Sequence, residues 1–277
     1  MCRRKAFTLI ELLVVISIVM LLMAIFVPVL HKARKQARAA GCQMHLRQWG
    51  TTLATIAEDK DGQYGSPLWI LAGWTIEEKT TGQMQAPQYH PIGTKGMLCP
   101  ETRRNPYASA PIGGLYAILS GNTNRAWALV DHRDPTEKPR VISVSYGLNG
   151  WQFPETPRAR DGGSQGPSHA NVFTMRHTAR IPLLLDCTHP ASSPTEEGPP
   201  PGGATGTGTG GMRPFCVNRH SGYVNCLFLD WSVRKVGLKE LWTLKWHKDF
   251  NTGGPWTRAG GVEPSDWPEW MRGFEGY

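Results

Sequence analysis

The segment from Phe7 to Leu30 constrains the fold of this chain more than any other feature. Twenty of its 24 residues are apolar, and the exceptions are Thr8, Glu11, Ser17 and Pro28. As a helix it would be about 36 Å long at ~1.5 Å per residue, which exceeds the ~30 Å hydrocarbon core of a bilayer. The segment is therefore predicted to cross a membrane once.

The net charge of +8 is concentrated around this segment. Residues 1–5 hold three basic groups, residues 31–47 hold five more, and neither stretch contains an acidic residue. Residues 48–277 carry 22 basic and 21 acidic groups and are nearly neutral. Basic clusters beside an apolar run are typical of a membrane surface, so no nucleic-acid partner is expected.

Two ordinary explanations of the segment fit it poorly. A secretory signal peptide has an apolar stretch of about 7 to 15 residues, and the cleavage site follows it at once. Here the sequences that resemble such sites, in residues 37–42, lie beyond the basic cluster. A plain membrane anchor would have no use for Glu11, because a carboxylate in the apolar core costs up to ~2.5 to 3.5 kcal/mol.

Residues 3–16, RRKAFTLIELLVVI, resemble the leader and helix start of type IV prepilins and type II secretion pseudopilins. The resemblance implies a cytoplasmic leader at residues 1–6, cleavage between Ala6 and Phe7 by a prepilin peptidase, and N-methylation of Phe7. Ala6 stands where the family usually has glycine. In the family's filaments the glutamate matching Glu11 pairs with the terminal amine of a neighbouring subunit. Pro28 matches a family proline that bends or locally opens the helix.

The resemblance also implies partners and a location. The partners are the prepilin peptidase, the inner membrane, and other pilin or pseudopilin subunits that contact the N-terminal helix. The charges flanking the span do not orient it, but the leader implies a cytoplasmic N-terminus and an exported C-terminal domain. The chain is thus expected to be a bacterial inner-membrane, single-pass structural subunit of a type IV pilus or type II secretion pseudopilus, and not an enzyme.

Further segments resemble a subgroup of these proteins that is abundant in planctomycetes. They are residues 42–49, 58–64, 98–100, 145–150 and 219–230. The last resembles an H-x9-D-G signature through His220 and Asp230, with Trp231 in place of the glycine. A turn requiring positive φ at Trp231 is therefore not expected.

The helix is predicted to continue through residues 31–60 and to stop at Asp61-Gly62. A stripe of small residues is expected to face neighbouring helices, and a bulkier stripe is expected to dock on the protein's own sheet. The first comprises Ala33, Ala37, Ala40 and Met44; the second comprises Cys42, Leu46, Trp49, Leu53 and Ile56.

Short runs bounded by turn-forming residues predict strands after the helix. They cover residues 126–130, 141–146, 181–187, 223–229 and 232–236, with a hairpin turn at Asp230 and Trp231. The predicted class is α+β and pilin-like: a long N-terminal helix, half transmembrane and half amphipathic, packed on an antiparallel sheet with long loops. The exported domain would occupy residues 61–277, with a flexible loop at 198–211 and a short amphipathic helix after Gly237.

Five cysteines follow the leader and would reach an oxidising compartment. We expect disulfides between Cys42 and Cys99 and between Cys187 and either Cys216 or Cys226, with buried free thiols as the alternative. No zinc motif occurs, so no metal is predicted. Glu58, Asp59 and Asp61 supply part of a calcium loop, which leaves calcium as a weak option and a solvated helix end as the favoured one.

No nucleophile or paired-carboxylate motif accompanies His220 and Asp230, so both are interpreted as structural. Six of the eleven tryptophans follow residue 230. Core packing explains them most simply. The alternative is an exposed aromatic platform that would make the chain a membrane-anchored binding module for glycan or an envelope protein.

Overall fold

The computed structural model describes residues 8–62, 64, 96–105, 116–131, 140–153, 171–205, 208 and 210–277. Ala6 and Phe7 lie outside these residues. One long helix, α1 (Leu9–Asp59), begins at the N-cap Thr8 and runs for 51 residues. The sheet region follows, so the α+β prediction of a long N-terminal helix with a C-terminal sheet is confirmed.

The described strands form two sheets. The first is antiparallel, in the order β1-β2-β3, and comprises β1 (Tyr116–Leu119), β2 (Trp127–Asp131) and β3 (Arg140–Val144). The second has the order β6-β4-β5-β7-β8 and comprises β4 (Tyr146–Asn149), β5 (Pro182–Asp186), β6 (Ala191–Ser192), β7 (Tyr223–Phe228) and β8 (Val233–Gly237). Only the β4–β6 pair in this sheet is parallel.

The second half of α1 covers one face of the five-stranded sheet. Its buried residues include Cys42, Leu46, Trp49 and Leu53, as the bulky stripe predicted, and Ile56 packs against the same core. Burying a leucine side chain contributes about 1.5 to 3 kcal/mol, so this stripe is enough to hold the helix on the sheet.

The C-terminal region covers the opposite face. Side chains of β7 alternate between the two layers: Leu227 lies in the core under α1, whereas Cys226 and Phe228 lie in the second core. This second core contains three buried tryptophans, at positions 242, 246 and 267. Beyond β8 the chain forms a 3-10 turn (Glu240–Thr243) in place of the predicted amphipathic helix, and later a four-residue helix, α2 (Glu269–Arg272).

The predicted strand over residues 141–146 is two strands in two sheets. The break falls at Ser145, whose N–H donates to Met97 O at 2.9 Å and whose carbonyl accepts from Cys187 N at 2.8 Å. The pattern did not predict this because both residues flanking the break are buried and apolar. The short strands β1 and β6 were also not predicted.

The hairpin between β7 and β8 turns at Asp230 and Trp231, as predicted. Trp231 nevertheless has a φ of 67°, so the turn does use left-handed backbone without the glycine. Asp230 Oδ1 accepts the Ser232 N–H at 3.0 Å. The antiparallel pairing of β7 with β8 runs up to the turn, where Leu227 pairs with Val233. These bonds offset the strain of about 1 to 2 kcal/mol.

Candidate functional site

Helix α1 is divided into an exposed half and a docked half. Every residue from Leu9 to Arg38 is exposed, and burial in the chain's own domain begins at Ala39. The apolar part of the exposed half is long and apolar enough to cross a membrane. The small-residue stripe also stays exposed: Ala33, Ala37, Ala40 and Met44 all lie on the free surface.

Glu11 and Thr8 form a capping box at the start of α1. Glu11 Oε2 accepts the Thr8 backbone N–H at 2.8 Å and the Thr8 hydroxyl at 2.7 Å, and Thr8 Oγ1 accepts the Glu11 N–H. The carboxylate thus satisfies helix-end donors next to the point where cleavage would create an amine. Sequence reasoning did not predict this local role.

Pro28 lies inside α1, and the helix is continuous through it. The proline removes one backbone donor. The helix does not open there, and the other effect that the resemblance implies, a bend, stays a prediction. The C-terminal end of α1 does follow the predicted stop. Asp61 and Gly62 have φ of 50° and 80°, and Gly62 N donates to Ala57 O at 2.7 Å.

All five described cysteines are buried free thiols, so neither expected disulfide is formed in this structure. Cys42 and Cys99 are nevertheless brought together, in a buried cluster with Asp186 and His220. The ligand atoms of these four side chains all lie within 4.8 Å of one another. Among the described residues this is the one group of three or more such side chains that converges, and Glu58, Asp59 and Asp61 are not part of it.

Four different segments supply the buried cluster. Cys42 comes from the docked half of α1, Cys99 from the segment of residues 96–105, Asp186 from the end of β5, and His220 from the loop before β7. Asp186 faces α1 because side chains alternate along β5, so that Leu185 points into the opposite core. The elements therefore meet where α1 enters the domain.

The contacts inside the cluster are short. His220 Nε2 lies 3.2 Å from Asp186 Oδ2 and 3.4 Å from Cys99 Sγ. The Cys42 thiol lies 3.6 Å from Asp186 Oδ1 and 3.8 Å from Oδ2. Tyr146 donates its hydroxyl to Cys42 Sγ at 3.4 Å, and Asn225 N donates to Asp186 Oδ2 at 2.9 Å.

Arg219 contacts the cluster through Asp186, at the carboxylate oxygen that does not face His220. Its guanidinium lies 3.5 Å from Asp186 Oδ1, and both side chains are fully buried. The same group donates to Ser145 O at 2.6 Å and to Cys187 O at 2.9 Å. Arg219 is therefore both the cationic neighbour of Asp186 and a brace between strands.

These neighbours perturb the titration of the cluster. Burial alone would raise the pKa of Asp186, but the charge and hydrogen bond of His220 and the charge of Arg219 lower it. Burial works against the charged form of His220 too, yet Asp186 raises the His220 pKa to about 10. The pKa of Cys42 is raised by burial, then by its hydrogen bond with Cys99. Burial would also raise the Cys99 pKa, but hydrogen bonds with Cys42 and His220 bring it to about 7.

The cluster does not have the geometry of a Cys-His-Asp nucleophile. In such a triad the acid holds one imidazole nitrogen and the nucleophile meets the other. Here Asp186 and Cys99 both lie beside the same atom, Nε2 of His220. The Cys99 side chain is also fully buried. The ligand atoms of all four side chains instead lie within 4.8 Å of one another.

His220 and Asp230, which the sequence pairs in one motif, have separate roles. His220 belongs to the buried cluster, whereas Asp230 is exposed and caps the hairpin turn. Asp186 was not singled out from the sequence. It could have been found as the carboxylate at the end of the otherwise apolar run IPLLLDC.

The six C-terminal tryptophans are buried or half-buried, so they are not exposed as a platform. Several donate their indole N–H to the backbone of the segment around residues 197–201: Trp242 to Gly198 O at 2.8 Å, Trp256 to Glu197 O at 3.3 Å and Trp270 to Pro201 O at 2.9 Å. The described start of the predicted flexible loop is thereby tied to the domain.

Comparison with protein-family models matches residues 1–27 to the prokaryotic N-terminal methylation motif. The chain therefore carries a prepilin-type N-terminal cleavage and methylation segment. This motif is typical of the amino terminus of pilin-like and pseudopilin-like precursors. Searches of curated proteins and of solved structures gave no significant match.

Proposed function

We propose that this chain is a prepilin-like subunit that a prepilin peptidase cleaves between Ala6 and Phe7, that is N-methylated at Phe7, and that assembles into a type IV pilus or type II secretion pseudopilus. The main support for this proposal is that α1 has one half exposed along its whole length and one half docked on the domain. An apolar half-helix exposed along its whole length needs a lipid or protein environment. The domain itself covers the helix only from Ala39 onward.

The exposed small-residue stripe supports assembly through the helix. Small side chains let neighbouring helices approach closely in an apolar environment. Ala33 and Ala37 lie between the membrane segment and the docked half, and Ala40 lies on the exposed face where the docked half begins, so the surface of all three is available to other subunits. In this proposal the leader faces the cytoplasm, the helix crosses the inner membrane, and the domain is exported.

Mass spectrometry of the amino terminus of the purified chain tests the cleavage. The expected product begins with N-methylated Phe7, and Ala6→Gly, which restores the residue usual at this position, is expected to make cleavage at least as complete. Ala40→Gly makes the same chemical change outside the motif and is the control. An intact Met1, or a chain that begins at Ala40 or Cys42, would contradict the proposal.

The capping box makes the role of Glu11 testable in two parts. Glu11→Gln keeps an oxygen that can accept from Thr8 but removes the negative charge, whereas Thr8→Ala removes the hydroxyl and keeps the charge. If Glu11 pairs with a neighbour's amine, only Glu11→Gln strongly decreases incorporation into filaments. A lost charge partner worth ~2.5 to 3 kcal/mol predicts about a 100-fold decrease.

Membrane insertion and filament content are measured in the same cells. Ser17→Ala is the matched control, because the Ser17 hydroxyl bonds only to its own helix, at Val14 O. All three variants are expected to remain in the membrane fraction. Normal filaments from Glu11→Gln would refute charge pairing, and an equal defect in Thr8→Ala would assign Glu11 to helix capping instead.

A further inference from the structure

We propose that Cys42, Cys99, Asp186 and His220 bind one structural zinc ion that links helix α1 to the exported domain. The four side chains supply two thiols, a carboxylate and an imidazole from four separate segments. Their donor atoms converge within 4.8 Å, inside the core. Sulfur and nitrogen donors in a closed set of four are the ligands of structural zinc sites, and carboxylate oxygen also occurs among zinc ligands.

The distances between donors fit a tetrahedron around zinc. Zinc bonds of ~2.3 Å to sulfur and ~2.0 to 2.2 Å to nitrogen and oxygen give tetrahedral edges of about 3.3 to 3.8 Å. The observed edges are 3.2 Å between His220 Nε2 and Asp186 Oδ2, 3.4 Å between Cys99 Sγ and His220 Nε2, and 3.8 Å between Cys42 Sγ and Asp186 Oδ2. The remaining pairs of donor atoms lie within 4.8 Å of each other, so shifts of up to about 1 Å would centre an ion among the four.

The charges also favour a divalent ion. Two thiolates and one carboxylate carry three negative charges, and a neutral histidine adds none. Zinc supplies two positive charges, and Arg219, 3.5 Å from Asp186 Oδ1, supplies the third. The loaded site would therefore be neutral, which a fully buried group requires. Binding releases the protons of the two thiols and the proton on His220 Nε2 to solvent, and no oxidation or reduction occurs.

Residues around the four ligands contact them and fix their orientation, as the neighbours of metal ligands do in known metal sites. The Tyr146 hydroxyl donates to Cys42 Sγ at 3.4 Å. Asn225 N donates to Asp186 Oδ2 at 2.9 Å, and the His220 ring stacks on Tyr223 with 5.6 Å between the ring centroids. With four protein ligands and full burial, the site leaves no open position for a substrate, so the ion's role is structural.

The position of the site explains what the ion would do. Cys42 is one helical turn beyond Ala39, the first residue of α1 to be buried by the domain. A zinc ion there would join α1 to β5 and to the loop before β7. It would transmit force between the filament-forming half-helix and the domain without depending on side-chain packing alone.

Elemental analysis of the purified full-length chain in detergent tests the proposal, followed by removal of metal with a chelator and titration with Zn²⁺ or Co²⁺. We expect about one zinc per chain and, with Co²⁺, the absorption of a tetrahedral thiolate site. Asp186→Asn and Cys99→Ser should lose the bound metal, and Cys216→Ala, which removes a buried thiol outside the cluster, should retain it. Tyr146→Phe should bind zinc about 10-fold more weakly, because it removes the hydroxyl that bonds to Cys42 Sγ and also lies 3.4 Å from His45 Nδ1.

Measurements on the unmodified chain keep the test valid if a variant does not fold. Thiol alkylation under denaturing conditions without reductant should modify all the cysteines that the structure describes. A Cys42–Cys99 disulfide would overturn the proposal. So would a folded wild-type chain that binds neither zinc nor cobalt, or a metal content that falls in Cys216→Ala as much as in Asp186→Asn.

Discussion

Replacing Arg219 should reveal how much of the domain's stability depends on one buried guanidinium. Its donors bind backbone carbonyls from several segments: Thr123 O at 3.2 Å, Asn122 O at 3.2 Å, Ser145 O at 2.6 Å and Cys187 O at 2.9 Å. The side chain also faces Asp186 and is fully buried. One planar group thus joins the loop before β2, the break between β3 and β4, and the end of β5.

The expected loss follows from these contacts. Arg219→Met keeps the volume but leaves Asp186 without its cationic neighbour on that side, and removing one partner of a buried pair costs about 3 to 5 kcal/mol. His220 still faces Asp186, so about 4 kcal/mol is expected. Arg219→Lys keeps the charge near Asp186 but lacks the fork that reaches Asn122 O and Thr123 O. At about 1 kcal/mol for each lost bond, it should cost about 2 kcal/mol.

Urea unfolding of the full chain in detergent, followed by tryptophan fluorescence, measures both values. Exposed Arg213, in the same loop region, provides the matched controls Arg213→Met and Arg213→Lys. Each control should change the free energy of unfolding by less than about 0.5 kcal/mol. The reasoning fails if Arg219→Met unfolds within 1 kcal/mol of the wild type, or if Arg219→Lys is as stable as its control.

Three further changes test other parts of the domain. Trp270→Phe keeps an aromatic ring but loses the bond to Pro201 O, so it should cost about 1 kcal/mol in urea unfolding; an unchanged midpoint would refute the role of that bond. Gly62→Ala should cost at least 2 kcal/mol, because φ is 80° and the added Cβ would lie 2.1 Å from Asn171 Oδ1; wild-type thermal stability would contradict this. Burial lowers the pKa of His247, so its stability contribution is complete above about pH 6.5 and falls as the pH drops, because the unfolded chain then binds the proton more readily. His247→Gln should therefore lose less stability than the wild type between about pH 7 and pH 5, and equal losses would show that His247 is not the group responsible.

The tryptophan-rich end and the Gly/Pro-rich loop illustrate what composition could not decide. The sequence indicated a flexible loop and left the tryptophans open between core and exposed platform. In the structure these two features are partners: Trp242 and Trp270 donate to carbonyls at Gly198 and Pro201. The loop offers backbone acceptors rather than apolar side chains, so hydrophobic patterning could not detect the contact.

Local patterns were sufficient for α1 and for the hairpin. The period of the stripe from Cys42 to Leu53 predicted which face of the helix is buried, because residues three and four apart share a face. The long apolar run predicted the membrane-competent half, and the Asp61-Gly62 pair predicted the end of the helix. Each of these features depends on neighbours within a few positions along the chain.

The sequence by itself determined the exposed apolar helix, its processing motif and the docked stripe. Only the tertiary structure decided that Cys42, Cys99, Asp186 and His220 share one buried site, and that Cys216 and Cys226 lie in a different core. The physical reason is separation along the chain. These ligands come from a helix, a loop, the end of a strand and a second loop, and no spacing rule links residues that only the packing of α1 on the sheet brings within 4.8 Å.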